Sequence, residues 1–229
     1  SVDGIPSPGV ARLDTNGNVD ASFIVGAGAN GTVRSIAVQT NGQILIAGDF
    51  TTYNGLSLPR IARLNTNGVV DPTFQPNLGA NATVNSLALQ TNGLIVVAGS
   101  FTTFNGFTVN GITRLNVDGS RDATFNPGTG ATGGGVNSVV VRMDGKILLG
   151  GTFTAVNGIA RNGYARLNVD GSVDSTFDPG VGVNGAVNAV ATLIVPPDTP
   201  IASKRKLPEL VLFSAATAES RPIIFSRPC

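Results

Sequence analysis

The stretch VNSLALQTNGLIVVAGSFTTFNGFTVNGITRLNVDGSRDATF, Val84–Phe125, decides the fold. Val33–Phe74 and Val136–Phe177 are further copies of it, and the Arg-Leu pair recurs at Arg12, Arg63, Arg114 and Arg166. The spacing is therefore 51, 51 and 52 residues. A period of that size marks a propeller, a solenoid or another stacked array.

Within one copy, VNSLALQ alternates, with Val84, Ser86, Ala88 and Gln90 on one face and Asn85, Leu87 and Leu89 on the other. Thr91-Asn92-Gly93 reads as a hairpin turn with both central residues at positive φ. LIVVAGSF is almost continuously apolar, as a strand covered on both faces should be. Thr102–Gly111 reads as a polar, Gly-rich link, GITRLN as a third strand, Val117-Asp118-Gly119 as a second tight turn and SRDATF as a short fourth strand. Four meandering antiparallel strands per repeat make one propeller blade. The expectation is an all-β chain, a β-propeller or a section of one, with a period of about 51 residues. A β-helix is the competing repeat fold, but its coils are shorter and lack two hairpins per unit.

These signatures carry a resemblance. Asn/Asp-Gly precedes an apolar run ending Gly-x-Phe. Ala-Arg-Leu-Asn-x-(Asn/Asp)-Gly follows, and then Asp-x-x-Phe. The pattern resembles the bacterial delta-60 repeat family of predicted β-propellers, over residues 10–190. The resemblance implies a large secreted or surface-exposed bacterial protein, and it carries over no catalytic residue.

The chain has 229 residues and is 41% hydrophobic, enough for one substantial core. A net charge of +1 gives no electrostatic case for nucleic acid or an anionic membrane. No run of 18 apolar residues is present, so no helical membrane span is expected. Ser1–Ile5 aligns without a gap on Ala155–Ile159, so the repeat begins in mid-blade. Residues 9–23 then supply only a third and a fourth strand, Val10–Asp14 and Val19–Phe23, and Val187–Val195 supplies a first. The repeat region is 1–195, and 196–229 is a divergent segment without Gly or Asn. It reads as a terminal segment of different origin or as a shifted reading frame. Leu210–Ala215 is a candidate second strand that would complete one composite blade with the start of the chain.

Each candidate site has a structural alternative. The second hairpin of each repeat carries oxygen side chains at alternate positions, and Asp14, Asn16, Asn18 and Asp20 form the best candidate calcium loop. The same residues are what a tight turn needs. The repeated Arg and the repeated Asp (Asp20, Asp71, Asp122, Asp174) flank that hairpin and read as ion pairs. Tyr53 and Phe104 are the candidate ligand contacts, as aromatics placed to stack on a sugar. The alternative is that they cover the core edge. The sequons at Asn30 and Asn81 are three-residue matches. There is no His, and the two Glu, Glu209 and Glu219, lie in the divergent segment. No nucleophile–base set, His-based metal site or phosphate loop is legible, and no cofactor is implied. The function expected is therefore a non-enzymatic extracellular or cell-surface scaffold or adhesion module. Its partner would be a surface glycan, a protein or the chain itself, as a homo-oligomer or filament. The alternatives are a propeller hydrolase or lyase with a central-channel site and a lectin-like propeller.

Overall fold

In the computed structural model, the residues described are Gly4 and 8–192. Among them every regular element is a β-strand. The first repeat holds β1 (Val33–Val38), β2 (Ile44–Gly48), β3 (Thr52–Tyr53), β4 (Leu56–Ser57) and β5 (Ile61–Leu64). The second holds β6 (Val84–Leu89), β7 (Ile95–Gly99), β8 (Thr103–Phe104), β9 (Phe107–Thr108) and β10 (Ile112–Leu115). The third holds β11 (Ala131–Thr132), β12 (Val136–Val141), β13 (Ile147–Gly151), β14 (Ala155–Val156), β15 (Ile159–Ala160) and β16 (Tyr164–Leu167). Three main antiparallel sheets result, β1-β2-β5, β6-β7-β10 and β12-β13-β16, beside the smaller sheets β3-β4, β8-β9 and β11-β14-β15.

The middle strand of each sheet is apolar throughout because both its faces meet protein. In β7, Ile95 and Val97 join Leu45, Ala47 and Ile61 of the preceding repeat in one core cluster. Val96 and Ala98 join Val136, Val139, Ile147 and Leu149 of the following repeat in another. Each sheet thus supplies half of two cores, and no repeat completes a core alone.

The first strand departs from simple alternation. Val84 pairs with Gly99 and Ser86 with Ala98, leaving Asn85 as an extra residue in a bulge. The bulge puts Val84 on the same side as Leu87 and Leu89, while Ala88 packs against the following repeat. The same irregularity recurs at Val33/Ser35 and Val136/Ser138.

The seven Asn/Asp-Gly turns of the two hairpin series also differ from expectation. At each, only the Gly has positive φ, as at Gly42, Gly93 and Gly119. Gly93 N donates to Gln90 O and Gln90 N to Leu94 O, both at 2.9 Å. This is a three-residue loop, a type I turn closed by a left-handed Gly. Asn92 serves through its side chain, whose Oδ1 accepts from Leu94 N at 3.2 Å. The turn with two positive φ values lies in the link instead, at Asn54-Gly55, Asn105-Gly106 and Asn157-Gly158. There it folds the link back as a two-stranded ribbon, β3-β4 and β8-β9, with β14-β15 equivalent.

The fourth strand is reduced to single bridges, Leu13↔Val19, Leu64↔Val70, Leu115↔Arg121 and Leu167↔Val173. Asp-x-x-Phe ends it, because it forms a turn. Phe74 N donates to Asp71 O at 3.3 Å, and Thr73 N donates to Asp71 Oδ1 at 2.9 Å. Residues 9–23 hold one such bridge in place of two strands. Val187 takes the first-strand position of a further repeat, its N donating to Gly151 O at 2.9 Å. Residues 193–195, the divergent segment and the proposed Leu210–Ala215 strand lie outside the described residues.

Glycine is required where backbones meet closely. A Cβ on Gly79 would lie 2.2 Å from Pro59 O, and its φ is +57°. Gly55 has φ +78° but open space around it. Gly55→Ala should therefore cost about 1–2 kcal/mol, the left-handed penalty alone. Gly79→Ala should cost clearly more, because the Pro59 carbonyl must also shift. Urea unfolding of the two variants checks the order.

Candidate functional site

The most concentrated polar chemistry in the fold is the cluster built by Arg63, Asp71, Thr73 and Phe74 and its repeats. Arg63 sits in β5 beside the bridge, and Asp71 opens the turn that follows. Arg63 Nε donates to Asp71 Oδ2 at 2.7 Å. The equivalent Arg114–Asp122, Arg166–Asp174 and Arg12–Asp20 bonds measure 2.8, 2.6 and 2.9 Å. The expected pairing is thus present four times. The Thr73 and Thr124 hydroxyls accept from the other guanidinium arm at 3.2 and 3.3 Å. The guanidinium lies over the phenyl ring of its own repeat, 4.9 Å from the Phe74 and Phe125 centroids.

The third arm leaves the repeat. Arg63 Nη1 donates to Val117 O and Arg114 Nη1 to Val169 O, both at 2.6 Å. Arg12 reaches Thr66 O in the same way. Each acceptor carbonyl lies in the second hairpin turn of the following repeat. Beside it, Gln75 N donates to Asp118 O at 2.8 Å and Asn126 N to Asp170 O at 2.7 Å. Gly119 and Gly171 lie against the Phe74 and Phe125 rings, where a Cβ would come within 3.1 and 3.0 Å. This contact between repeats carried no signal in a single copy of the motif. Only the recurrence of Arg, Phe and turn Gly at one spacing could have suggested it.

Each Asp is saturated. Asp122 Oδ1 accepts from the Thr124 amide and hydroxyl at 2.8 and 2.7 Å, while Oδ2 takes Arg114. Burial alone would raise the Asp122 carboxyl. The Thr124 hydrogen bonds and Arg114 outweigh it and hold the group below its ordinary value. Asp71 behaves alike, with Thr73 and Arg63 as its donors. Gln43 Nε2 also donates to Asp71 at 2.7 Å. At Asp174, burial is again overcome, here by Lys146 together with Thr176 and Arg166. A base held this far down and already hydrogen-bonded has little capacity to take a proton near neutral pH.

The other expected contacts fall differently. Tyr53 and Phe104 have no exposed surface. Their rings lie in the core, because the ribbon folds them inward opposite Ala29 and Ala80. Neither offers a face to a sugar, which corrects the stacking expectation. In the candidate calcium loop, Asp14 Oδ1 accepts from Asn16 N and Asn18 N at 2.8 and 2.9 Å. Asn18 Nδ2 donates to Asp14 Oδ2 at 3.3 Å. Asp20 is held by Arg12 and Ser22. These oxygens close their own loop, and the described residues hold no gathered set of three acidic, His or Cys side chains. The sequon side chains are also engaged. Asn30 and Asn81 Nδ2 donate to the Thr51 and Thr102 hydroxyls at 2.9 Å, and their Oδ1 atoms accept ribbon amides.

One cleft lies between the second and third repeats, and another lies along the ribbon and the turn that closes the first repeat. The former, of about 460 Å³, is lined by Ser100, Thr102, Asn110, Thr132 and the Gly133–Gly135 backbone. The latter, of about 540 Å³, is lined mainly by Leu56, Leu58, Val69, Phe74 and Pro76. Among the described residues no helix is long and apolar enough to cross a membrane.

The sequence profile of the family described as "Domain of unknown function (DUF5122) beta-propeller" matches residues 1–23, 39–74, 90–125 and 144–177. The match covers more than half of the chain, which belongs to this family. No curated protein matches it.

Arg114→Ala should lower stability by about 1–3 kcal/mol, since it leaves the Asp122 carboxylate and the Val169 carbonyl short of a donor. Arg12→Ala should cost less, because that pair is partly solvated, with side chains 37% and 27% exposed. Thermal melts of both variants check this.

The lowered Asp carboxyls also fix the direction of acid unfolding. A folded pKa below the unfolded one stabilises the protein above about pH 4. That contribution should fade as pH falls further towards the folded value. Asp122→Asn should flatten the fall in denaturation midpoint between about pH 4 and pH 2.

Proposed function

We propose that this chain is a non-enzymatic β-propeller module that serves as a scaffold or adhesion surface of a secreted or cell-surface bacterial protein. In this reading each blade is three full strands plus a fourth worn down to one bridge. One observation supports it above the rest. The recurring Arg and Asp, the residues best suited to chemistry, are consumed in contacts that hold one repeat to the next. Arg63 has donors directed at Asp71, Thr73 and Val117 O, and Asp71 accepts from Arg63, Gln43 and Thr73. Asp71 borders the cleft of about 540 Å³, but both of its carboxylate oxygens already have donors. The bacterial surface assignment rests on the resemblance described above and on the low net charge of +1.

What remains for recognition is the surface between repeats. Its polar cleft is lined by Ser100, Thr102, Asn110 and Thr132 beside bare glycine backbone. Such a lining suits hydrogen bonding rather than bond cleavage. The test pairs a glycan array and a surface-protein pull-down with a hydrolase and lyase substrate panel. The expected result is binding without turnover, weakened by Asn110→Ala. Turnover that disappears on substitution of any of the repeated Asp residues would replace this reading with the enzymatic one.

A further inference from the structure

The joint between the first and second repeats and the joint between the second and third are built alike but closed differently. Asp49, Arg60 and Thr83 of the first joint correspond in position to Ser100, Gly111 and Gly135 of the second. Arg60 has φ +66°, a left-handed backbone that costs an arginine energy and a glycine little. Its side chain crosses the joint, and Nη1 donates to Ala80 O at 2.8 Å. The Thr83 hydroxyl crosses in the other direction and donates to Asp49 Oδ1 at 2.7 Å. In the second joint neither side chain exists. Gly111 keeps the left-handed backbone, φ +69°, without the arginine, and Gly135 has no hydroxyl. The cleft of about 460 Å³ lies in this joint.

The acceptor that Arg60 uses in the first joint has its counterpart here. Ala131 corresponds to Ala80 and lines the cleft together with Gly111. Ala131 N donates to Asn110 O at 2.8 Å, so the edge of β11 that carries the Ala131 amide and carbonyl faces the second repeat. None of the residues lining the cleft carries a charge, so an anionic ligand meets no cation there. We propose, on the reading of this chain as a binding module, that the cleft takes an arginine side chain of a partner protein. Its guanidinium donates to Ala131 O as Arg60 donates to Ala80 O. The ligand class follows from what the chain itself puts into the equivalent space of the first joint. A guanidinium brings five donors in a planar fork and no acceptor, which suits a cleft whose fixed polar group is a carbonyl oxygen.

Titration of the isotope-labelled full chain with the peptide acetyl-Gly-Arg-Gly-amide, followed by NMR, tests this. Shifts should centre on Ser100, Gly111 and Gly133–Gly135. The lysine counterpart, a point charge without the fork, should bind clearly more weakly. Ser100→Asp gives the second joint the carboxylate that Asp49 supplies in the first. It should tighten the arginine peptide by up to about fivefold, the worth of a partly exposed ion pair. Gly111→Arg should fill the cleft from within and abolish binding. A thermal melt accompanies that variant, because a Cβ at Gly111 would come within 3.2 Å of Ala131 Cβ. Should it not fold, the Ser100→Asp titration decides alone. The proposal is overturned by an arginine peptide that causes no shifts, by equal binding of the lysine peptide, or by an affinity that Ser100→Asp leaves unchanged. A folded Gly111→Arg variant that still binds the peptide overturns it too. A neutral glycan that shifts the same residues when the arginine peptide does not also overturns it, yet leaves the binding-module reading standing. Turnover that depends on the repeated Asp residues removes that reading itself, and the proposal with it.

Discussion

The guanidinium of Arg63, shared between Asp71 of its own repeat and Val117 O of the next, is the contact on which the stacking depends. A sheet of three short strands has two apolar faces and too little core to stand alone. Ile95 and Val97 need the repeat before them, and Val96 and Ala98 need the repeat after. Apolar burial has no direction of its own, so it does not fix how far one sheet slides over another. The arginine does. Its Nη1 reaches a carbonyl 54 residues on at Arg12 and Arg63, and 55 on at Arg114, following the lengthening of the period. Phe74 and Phe125, under the guanidinium and against the next turn Gly, leave room for no larger residue there. Direction and distance are thus set by a polar contact placed at the edge of an apolar one.

Period, strand order and the Arg–Asp pairing were legible because each is a recurrence, and recurrence survives ignorance of geometry. The double covering of LIVVAG was legible from its unbroken apolarity. Four local features were not. The bulge at Asn85 is invisible because an extra residue in one strand is defined only by its partner strand. The turn type was misassigned because Asn-Gly satisfies two loops for different reasons. At Asn105-Gly106 both residues take positive φ, whereas at Asn92-Gly93 the Asn contributes an acceptor and only the Gly turns left-handed. Asp-x-x-Phe was read as strand because its Phe is apolar, yet the Asp carboxylate captures the amide two residues on and ends the ladder. Tyr53 and Phe104 were placed at the surface because they sit in a polar, Gly-rich segment. The ribbon they belong to is what turns them inward.

Comparison among the copies shows which roles tolerate drift. The position at the start of the second strand is Gln43, Leu94 and Lys146 in turn. Gln43 and Lys146 both donate to the conserved-in-register carboxylate, at 2.7 Å to Asp71 and 2.6 Å to Asp174. Leu94 cannot, and in that repeat Gln90 Oε1 accepts from Arg114 Nη1 at 3.3 Å instead. The Arg and Thr partners of the carboxylate recur in every copy, while the additional side chain goes to the carboxylate in the first and third copies and to the guanidinium in the second. The first strand varies similarly. Asn85 and Asn137 donate to Val136 O and Val187 O of the following repeat, at 3.0 and 3.2 Å. Arg34 stands in their place in the first copy and pairs with Asp49, whose second oxygen accepts from the Thr83 hydroxyl at 2.7 Å. The link to the next repeat is kept through a different pair of residues.

Positions released from this duty lie at the ribbon tips. Leu56, Phe107 and Ile159 are equivalent, exposed and different in each copy. Their surroundings differ as well. The residue across from Phe107 is Arg121, whose guanidinium lies 5.1 Å from the ring centroid and covers it. The counterpart of Arg121 beside Leu56 is Val70, which leaves that cleft apolar, with Leu58 and Phe74 in its wall. One substitution between copies thus converts a capped aromatic into an open apolar groove without touching the Arg63–Asp71 pair beneath it. A fold that holds its repeats together with buried charges is free to change its outer ribbon one copy at a time, because Arg63 and Asp71 take their partners from Thr73, Gln43 and the Val117 carbonyl.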